Sequence, residues 1–153
     1  MTGRSRLELP VRHGDPLPPP AFARPEAAAE QRRQELRPAS HIRRVERDLG
    51  TGRTRLAIVD DFGQQRDLGH GLVTGEVGRE VWSIRDGDPL SARAETHWTE
   101  TLVRDGWQVR TETMSALTCD AQSFRIRARI EAYEGLRLIY ERDHETTVPR
   151  VMV

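Results

Sequence analysis

The side chains that could do chemistry here are few and widely spaced. His13, His41, His70, His97 and His144 contain neither an H-x-H pair nor the H-E-x-x-H spacing that would set two imidazoles on one helical face for zinc. No metal site is read from them, and no cofactor. No G-x-S-x-G elbow occurs, so the nucleophile of an α/β-hydrolase has no place to sit. Lysine is absent and every cationic side chain is Arg. That removes Schiff-base lysines, Ser–Lys dyads and the P-loop lysine. The all-Arg usage itself reads as the mark of a GC-rich genome.

The remaining candidates have plain structural explanations beside the chemical ones. Gly69-x-Gly71-x-x-x-Gly75 is one residue too long for a dinucleotide loop, and no helix pattern follows it. Asp86-Gly87-Asp88 could offer carboxylates to Ca²⁺, but these are turn residues and the rest of an EF-hand loop is missing. Asp60-Asp61 reads as a strand end before a turn at Gly63. Glu100 is the sharpest candidate: alternation puts it on the apolar face with Trp98 and Leu102, where a carboxylate needs a partner or takes a raised pKa. An Arg partner is the expected resolution. His97 projects from the opposite face, so the two form no dyad. Trp98 and Trp107 share the apolar face and read as core. Trp82 is the candidate for a carbohydrate-stacking platform. No catalytic residue is assigned.

The elements that would hold these side chains are strands. Period-two alternation begins near His41. IRRVERDL (42–49) and TRLAIVDD (54–61) flank a Gly50-Thr51-Gly52 turn, and VWSI (81–84) ends at Asp86-Gly87-Asp88-Pro89. The Gly-rich run 69–78 predicts an irregular crossing. Four long strands follow at about 90–104, 107–117, 122–133 and 136–147. Asp105-Gly106 predicts a type I′ hairpin, with Leu102 facing Val109 and Trp98 facing Thr113. The next hairpin is expected to set Val109 against Ile130, Thr113 against Ile126 and Glu112 against Arg127. A three-residue loop, Tyr133-Glu134-Gly135, would then set Ile130 against Leu138 and Arg127 against Glu141. Apolar residues gather on one face and opposite charges meet on the other. Strands this long need their apolar face covered, and the segments in 42–84 could supply a second sheet. The expected fold is all-β: an antiparallel β-sandwich, jelly-roll-like, over residues 41–153.

Residues 1–40 differ. Pro16, Pro18, Pro19, Pro20, Pro25 and Pro38 crowd this stretch and favour extended polyproline II. EAAAEQRRQEL (26–36) between them predicts a short helix, marginal alone in water. The stretch reads as a Pro-rich arm or linker.

Composition agrees with a single domain in 153 residues. The 24 basic and 24 acidic residues cancel, so there is no electrostatic footprint for nucleic acid or anionic membrane. Mean hydropathy is −0.68 and no apolar run reaches the roughly 18 residues of a membrane span. The single Cys119 can form no internal disulfide, and the N-terminus lacks a signal-peptide core. The expected location is the cytoplasm.

From about residue 41 to 150 the chain resembles the C-terminal domain of the CocE/NonD hydrolases, the family of cocaine esterase and the X-Pro dipeptidyl-peptidases. The segments that carry the resemblance are VERDLGTGRT (45–54), VDDFG (59–63), GDPLSARAETHWT (87–99), DGWQVRTET (105–113) and DAQSFRIRARIEAYEG (120–135), then Glu141-Arg142-Asp143 and Val148-Pro149-Arg150. The resemblance implies a non-catalytic β jelly roll that packs on an α/β-hydrolase domain bearing a Ser-His-Asp triad. No triad motif matches here, so no catalytic residue carries over. The implied role is a detached or truncated accessory domain. The implied partner is an α/β-hydrolase domain or subunit, with a homodimer through an exposed apolar sheet face as the other expected association. The alternative role is a stand-alone module binding a carbohydrate or other small ligand, and an enzyme acting through Glu100 or His97 ranks last.

Overall fold

The computed structural model describes residues 21–28 and 31–151. Among them there is no helix, and eight strands form one antiparallel sheet. The strands are β1 (Arg33–Arg37), β2 (Ser40–Asp48), β3 (Arg53–Asp67), β4 (Val73–Arg85), β5 (Asp88–Arg104), β6 (Trp107–Cys119), β7 (Ser123–Glu134) and β8 (Arg137–Pro149). The all-β antiparallel class expected from the alternation is what the structure shows. An open, two-faced sheet of this kind is consistent with a β-sandwich or jelly-roll-like fold.

From β3 to β8 each strand pairs with the next in sequence, a continuous meander. The segments expected to form an upper layer, β2 to β4, extend this same ladder side by side. β1 and β2 share one flank of β3: β1 runs along Gln64–Asp67 and β2 along Arg53–Asp61. Together they make one edge, interrupted at Pro38, which has no N–H to give a ladder. At that break β3 carries a bulge between Asp61 and Gln64. Gly63 sits in it with φ of 76°, and a side chain there would come within 2.3 Å of the Arg37 carbonyl. The turn expected at Gly63 is therefore a bulge within a 15-residue strand.

The helix expected over 26–36 is not formed where it can be judged. Residues 21–28 have no regular structure, and Arg33–Arg37 is β1. A helix of that length is marginal alone, whereas the free flank of β3 offers backbone partners along its whole edge. The sheet thus starts ahead of residue 41. The polyproline reading of 16–20 lies outside the described residues. The irregular crossing expected over 69–78 is confined to a short loop, with Val73 already paired to Arg66 and Val103.

Turn chemistry sets the hairpins. Asp48 gathers the Gly50 amide at 2.9 Å and the Thr51 hydroxyl at 2.8 Å, closing the β2–β3 turn. Asp105 and Gly106 both have positive φ, 50° and 81°, as a type I′ turn requires. Leu102 faces Val109 and Trp98 faces Thr113, as expected. The next two hairpins keep their predicted faces over most of their length but not their partners, and Leu138, expected opposite Ile130, lies opposite Tyr133 on the polar side. Val109 meets Glu134, Thr113 meets Ile130 and Glu112 meets Glu131. Ile130 meets Arg142 and Arg127 meets Glu145. The cause is in the loops. Asp120 accepts the Gln122 and Ser123 amides at 2.8 and 2.7 Å, so β6 runs on to Cys119. The last loop is Gly135-Leu136, flanked by the pair Glu134–Arg137, with a bulge at Ala132/Tyr133.

Cross-strand partners point to the same side, so the registers define two faces. One carries Leu56, Trp82, Trp98, Leu102, Trp107, Leu117, Phe124 and Ile130. The other carries His97, Arg110, Glu112, Met114, Arg127, Arg129 and Glu131. Among the described residues no hydrophobic side chain is buried, and strands touch only their ladder neighbours. The ladder hydrogen bonds and cross-strand pairs hold this sheet together.

Candidate functional site

The polar face is organised around Glu112, the one buried charged residue among the described residues, at 8% exposure. It stands on β6 directly between Thr99 on β5 and Glu131 on β7. Thr99 donates its hydroxyl to Glu112 Oε2 at 2.7 Å, and His97 Nε2 reaches the same oxygen at 2.6 Å. A carboxylate only accepts, so His97 Nε2 carries the proton. Arg110, two residues before Glu112 on the same strand and face, holds Oε1. Burial pushes the Glu112 carboxyl up, but hydrogen bonds from Thr99, His97 and Arg110 outweigh it and hold the group below the ordinary glutamate range.

The network runs on across the sheet. The Arg110 guanidinium lies 4.2 Å over the Tyr133 ring. Tyr133 donates its hydroxyl to Glu131 at 2.6 Å, and Arg129 binds the other Glu131 oxygen at 2.6 Å. Arg129 also reaches Glu141 at 2.6 Å and Asp143 at 3.1 Å. Two glutamates placed directly opposite each other are thereby neutralised from both sides. Beside this chain of ion pairs lies a hollow of about 740 Å³, with Met114 and Ala116 in its floor and Arg79, His97, Arg127 and Arg129 at its rim.

The apolar face carries a smaller hollow of about 350 Å³ lined by Leu56, Trp82, Ile84, Ala94, Leu117 and Phe124. Trp82 is 47% exposed there and donates its indole N–H to Glu80 at 3.1 Å. Further along the same face, Phe62 stacks on Trp98 at 6.4 Å and meets His41 edge-on at 5.9 Å.

The residues singled out in the sequence are dispersed over this frame. Glu100 lies on the apolar face as expected, opposite Glu76 and Thr111, exposed. Among the described residues no Arg pairs with it. His97 lies on the other face, as expected. Trp98 and Trp107 share a face, as expected, but Trp107 is 45% exposed, so no closed core contains it. Asp86 and Gly87 form the β4–β5 turn, and Asp86 accepts Arg47 at 2.5 Å. Asp60 accepts His41 at 2.8 Å, and Asp61 takes Arg37 with both oxygens at 2.5 and 2.8 Å, so both serve as anchors for the edge. Gly75 is inside β4 beside Thr101, and Cys119 is a free thiol. Among the described residues no group of His, Cys, Asp and Glu could hold a metal ion. Of the charged network, Glu112 is the hub that sequence reading missed: its partners come from one strand over and two residues back, and the predicted Leu102–Val109 and Trp98–Thr113 pairs already set Thr99 opposite Glu112 and His97 beside it, the signal that could have found it.

No family model matches this chain, no curated protein matches it and no solved structure matches it. No helix among the described residues is long and apolar enough to cross a membrane.

Proposed function

We propose that this chain is a non-catalytic accessory domain of a CocE/NonD-type acyl esterase or X-Pro dipeptidyl-peptidase-like hydrolase, supporting an α/β-hydrolase catalytic domain, in the cytoplasm. The observation that carries the reading is the uncovered apolar face. Val45, Leu56, Trp82, Ala94, Leu117 and Ile126 form one cross-strand row from β2 to β7, and Ile84, Cys119, Phe124 and Val148 line the row beside it. An apolar band running across so many strands exceeds what a lone soluble domain usually leaves in water, and marks a docking surface. The segment resemblance supplies the partner class.

The test has two arms. The purified chain should turn over neither p-nitrophenyl acetate nor Gly-Pro-p-nitroanilide. Mixed with the α/β-hydrolase domain encoded nearest to it, the chain should co-elute in size-exclusion chromatography and lose its binding of an apolar dye. Hydrolysis by the chain alone, abolished in His97→Ala or Glu100→Gln, would overturn the reading, and so would the absence of any complex.

One observation favours a second reading, a module for a small ligand: the hollow at Trp82. Its walls are aliphatic and aromatic, with few groups to direct a sugar hydroxyl, so the chemistry there suits an apolar ligand better than a carbohydrate. A thermal-shift screen distinguishes the two, because only this reading predicts a rise in Tm with an uncharged apolar compound that is lost in Trp82→Ala, and none with oligosaccharides.

A further inference from the structure

The 740 Å³ hollow on the polar face exists because the side chains around it are pulled apart. On β5, Glu95 is drawn along its strand by Arg93 at 2.6 Å, while His97 is drawn the other way by Glu112 at 2.6 Å. Thr96 lines the hollow between them. On β7, Arg127 turns to Glu145 at 3.1 Å, while Arg129 turns to Glu131 at 2.6 Å. Between these two splayed walls, about 10 Å apart as next-but-one strands are, β6 contributes only Met114 and the methyl of Ala116. Val81 on β4 prolongs the apolar floor beyond Glu95.

The charges around the hollow are not evenly satisfied. Glu95, Asp143 and Glu145 each have an Arg partner, so the rim offers no free carboxylate to a cation. Arg127 and Arg129 are taken up in those pairs. Arg79, directly across from His97, lines the hollow without an ion-pair partner among the described residues. Asp61, one row away, gives both oxygens to Arg37, so the charge of Arg79 acts on it only from a distance, with no hydrogen bond or ion pair between them. A floor of methyl and thioether groups with one uncommitted guanidinium at its end is complementary to an anion carrying an apolar body.

The geometry points to a binding site in this hollow for a small carboxylic acid with an apolar chain or ring, its carboxylate on Arg79 and its body over Val81, Met114 and Ala116. The site is on the opposite side of the sheet from the docking face and stands or falls independently of it.

Octanoate and 1-octanol are the probes, and the methyl resonance of Met114 in the full chain is the reporter, assigned by its loss in Met114→Leu. Octanoate should shift that resonance in a saturable way and bind at least tenfold more tightly than 1-octanol, the worth of one charge-assisted contact. Arg79→Gln should reduce octanoate to the affinity of the alcohol. Ala116→Leu, which fills the floor, should weaken both, with the far-UV spectrum unchanged. Ligands that enter only the Trp82 hollow would leave Met114 still and would not respond to Arg79→Gln. A silent Met114 at millimolar octanoate, equal affinities for the two probes, or an unchanged Arg79→Gln variant each overturns the assignment.

Discussion

Trp98 lies across Gly78: a side-chain carbon added at Gly78 would come within 2.7 Å of the indole ring. The two are cross-strand partners on β5 and β4, and the missing side chain on one makes the seat for the other. Gly78→Ala must displace a ring that also stacks on Phe62. The expected cost is about 1–3 kcal/mol, as for other overpacked sites. It should appear as a lower urea midpoint with an altered tryptophan emission, while Gly71→Ala, open on all sides, leaves the emission unchanged.

Glu112 makes stability depend on acid. Its folded pKa is depressed, so the ionised form is favoured by folding. That contribution is complete above the pKa of an unfolded glutamate and disappears as pH falls through the lower folded value. Asp60 and Asp61, depressed chiefly by His41 and by Arg37, act in the same direction. Stability should therefore fall on acidification below the ordinary carboxylate range. Glu112→Gln should lose about 1–3 kcal/mol at neutral pH through its weakened bonds to His97, Thr99 and Arg110. It should also show a shallower acid limb. Parallel pH profiles of the wild type and Glu112→Gln would sink the assignment of Glu112 as the hub.

The bulge at Gly63 ties the edge to the body of the sheet. Gly63→Ala meets the Arg37 carbonyl and forces a positive φ on a residue with a side chain. A cost of about 1–3 kcal/mol follows for the strained backbone, centred on β1. Amide exchange should accelerate over Arg33–Arg37 while β5–β7 stay protected. Uniform acceleration across the whole sheet would contradict a local role.

The apolar face should announce itself in solution. The isolated chain is expected to bind an apolar dye such as ANS and to self-associate as concentration rises. A charge placed in the middle of the band, Trp82→Glu, should diminish both. A chain that stays monomeric and dye-free at high concentration would mean that this face is not sticky.

How far the sequence could be read depends on which interactions decide each feature. Strand positions and faces were legible because alternation is local. Trp98, Leu102 and Leu117 declare their side without knowledge of any partner. The Asp105-Gly106 turn was legible for the same reason, since its residues suit only one tight geometry. The two later registers were not. Over most of its length each lies four residues from its expected pairing, an even step that leaves side chains on their own face; only beyond the Ala132/Tyr133 bulge do Arg137 and Leu138 move by three and change sides. The apolar pattern is blind to such a step, and the choice falls to Asp120 and to the Gly135-Leu136 loop. The Glu131 half of the charged network depended on that choice and was hidden with it, whereas Thr99, His97 and Arg110 already stand around Glu112 in the hairpin that the Asp105-Gly106 turn predicts. β1 was hidden for another reason: alanines and glutamates next to it favour a helix, and only the free flank of β3 makes it a strand.

The interruption at Pro38 also governs what the two margins of the sheet can do. On one margin the ladder is broken by an imino acid and a bulge, then continues through Arg43, Arg44 and Arg47. The other margin, β8, carries Arg137 and Arg142 among Glu141, Asp143 and Glu145, the three carboxylates paired to Arg127 and Arg129 of β7. A straight, bland margin templates further strands without limit, which is how fibrils grow. Here one hem is notched and both are studded with charged side chains, so a stray apolar strand finds a poor template on either. The notch and the charges thus leave the broad apolar face, rather than the selvedge, as the place where the proposed association would occur.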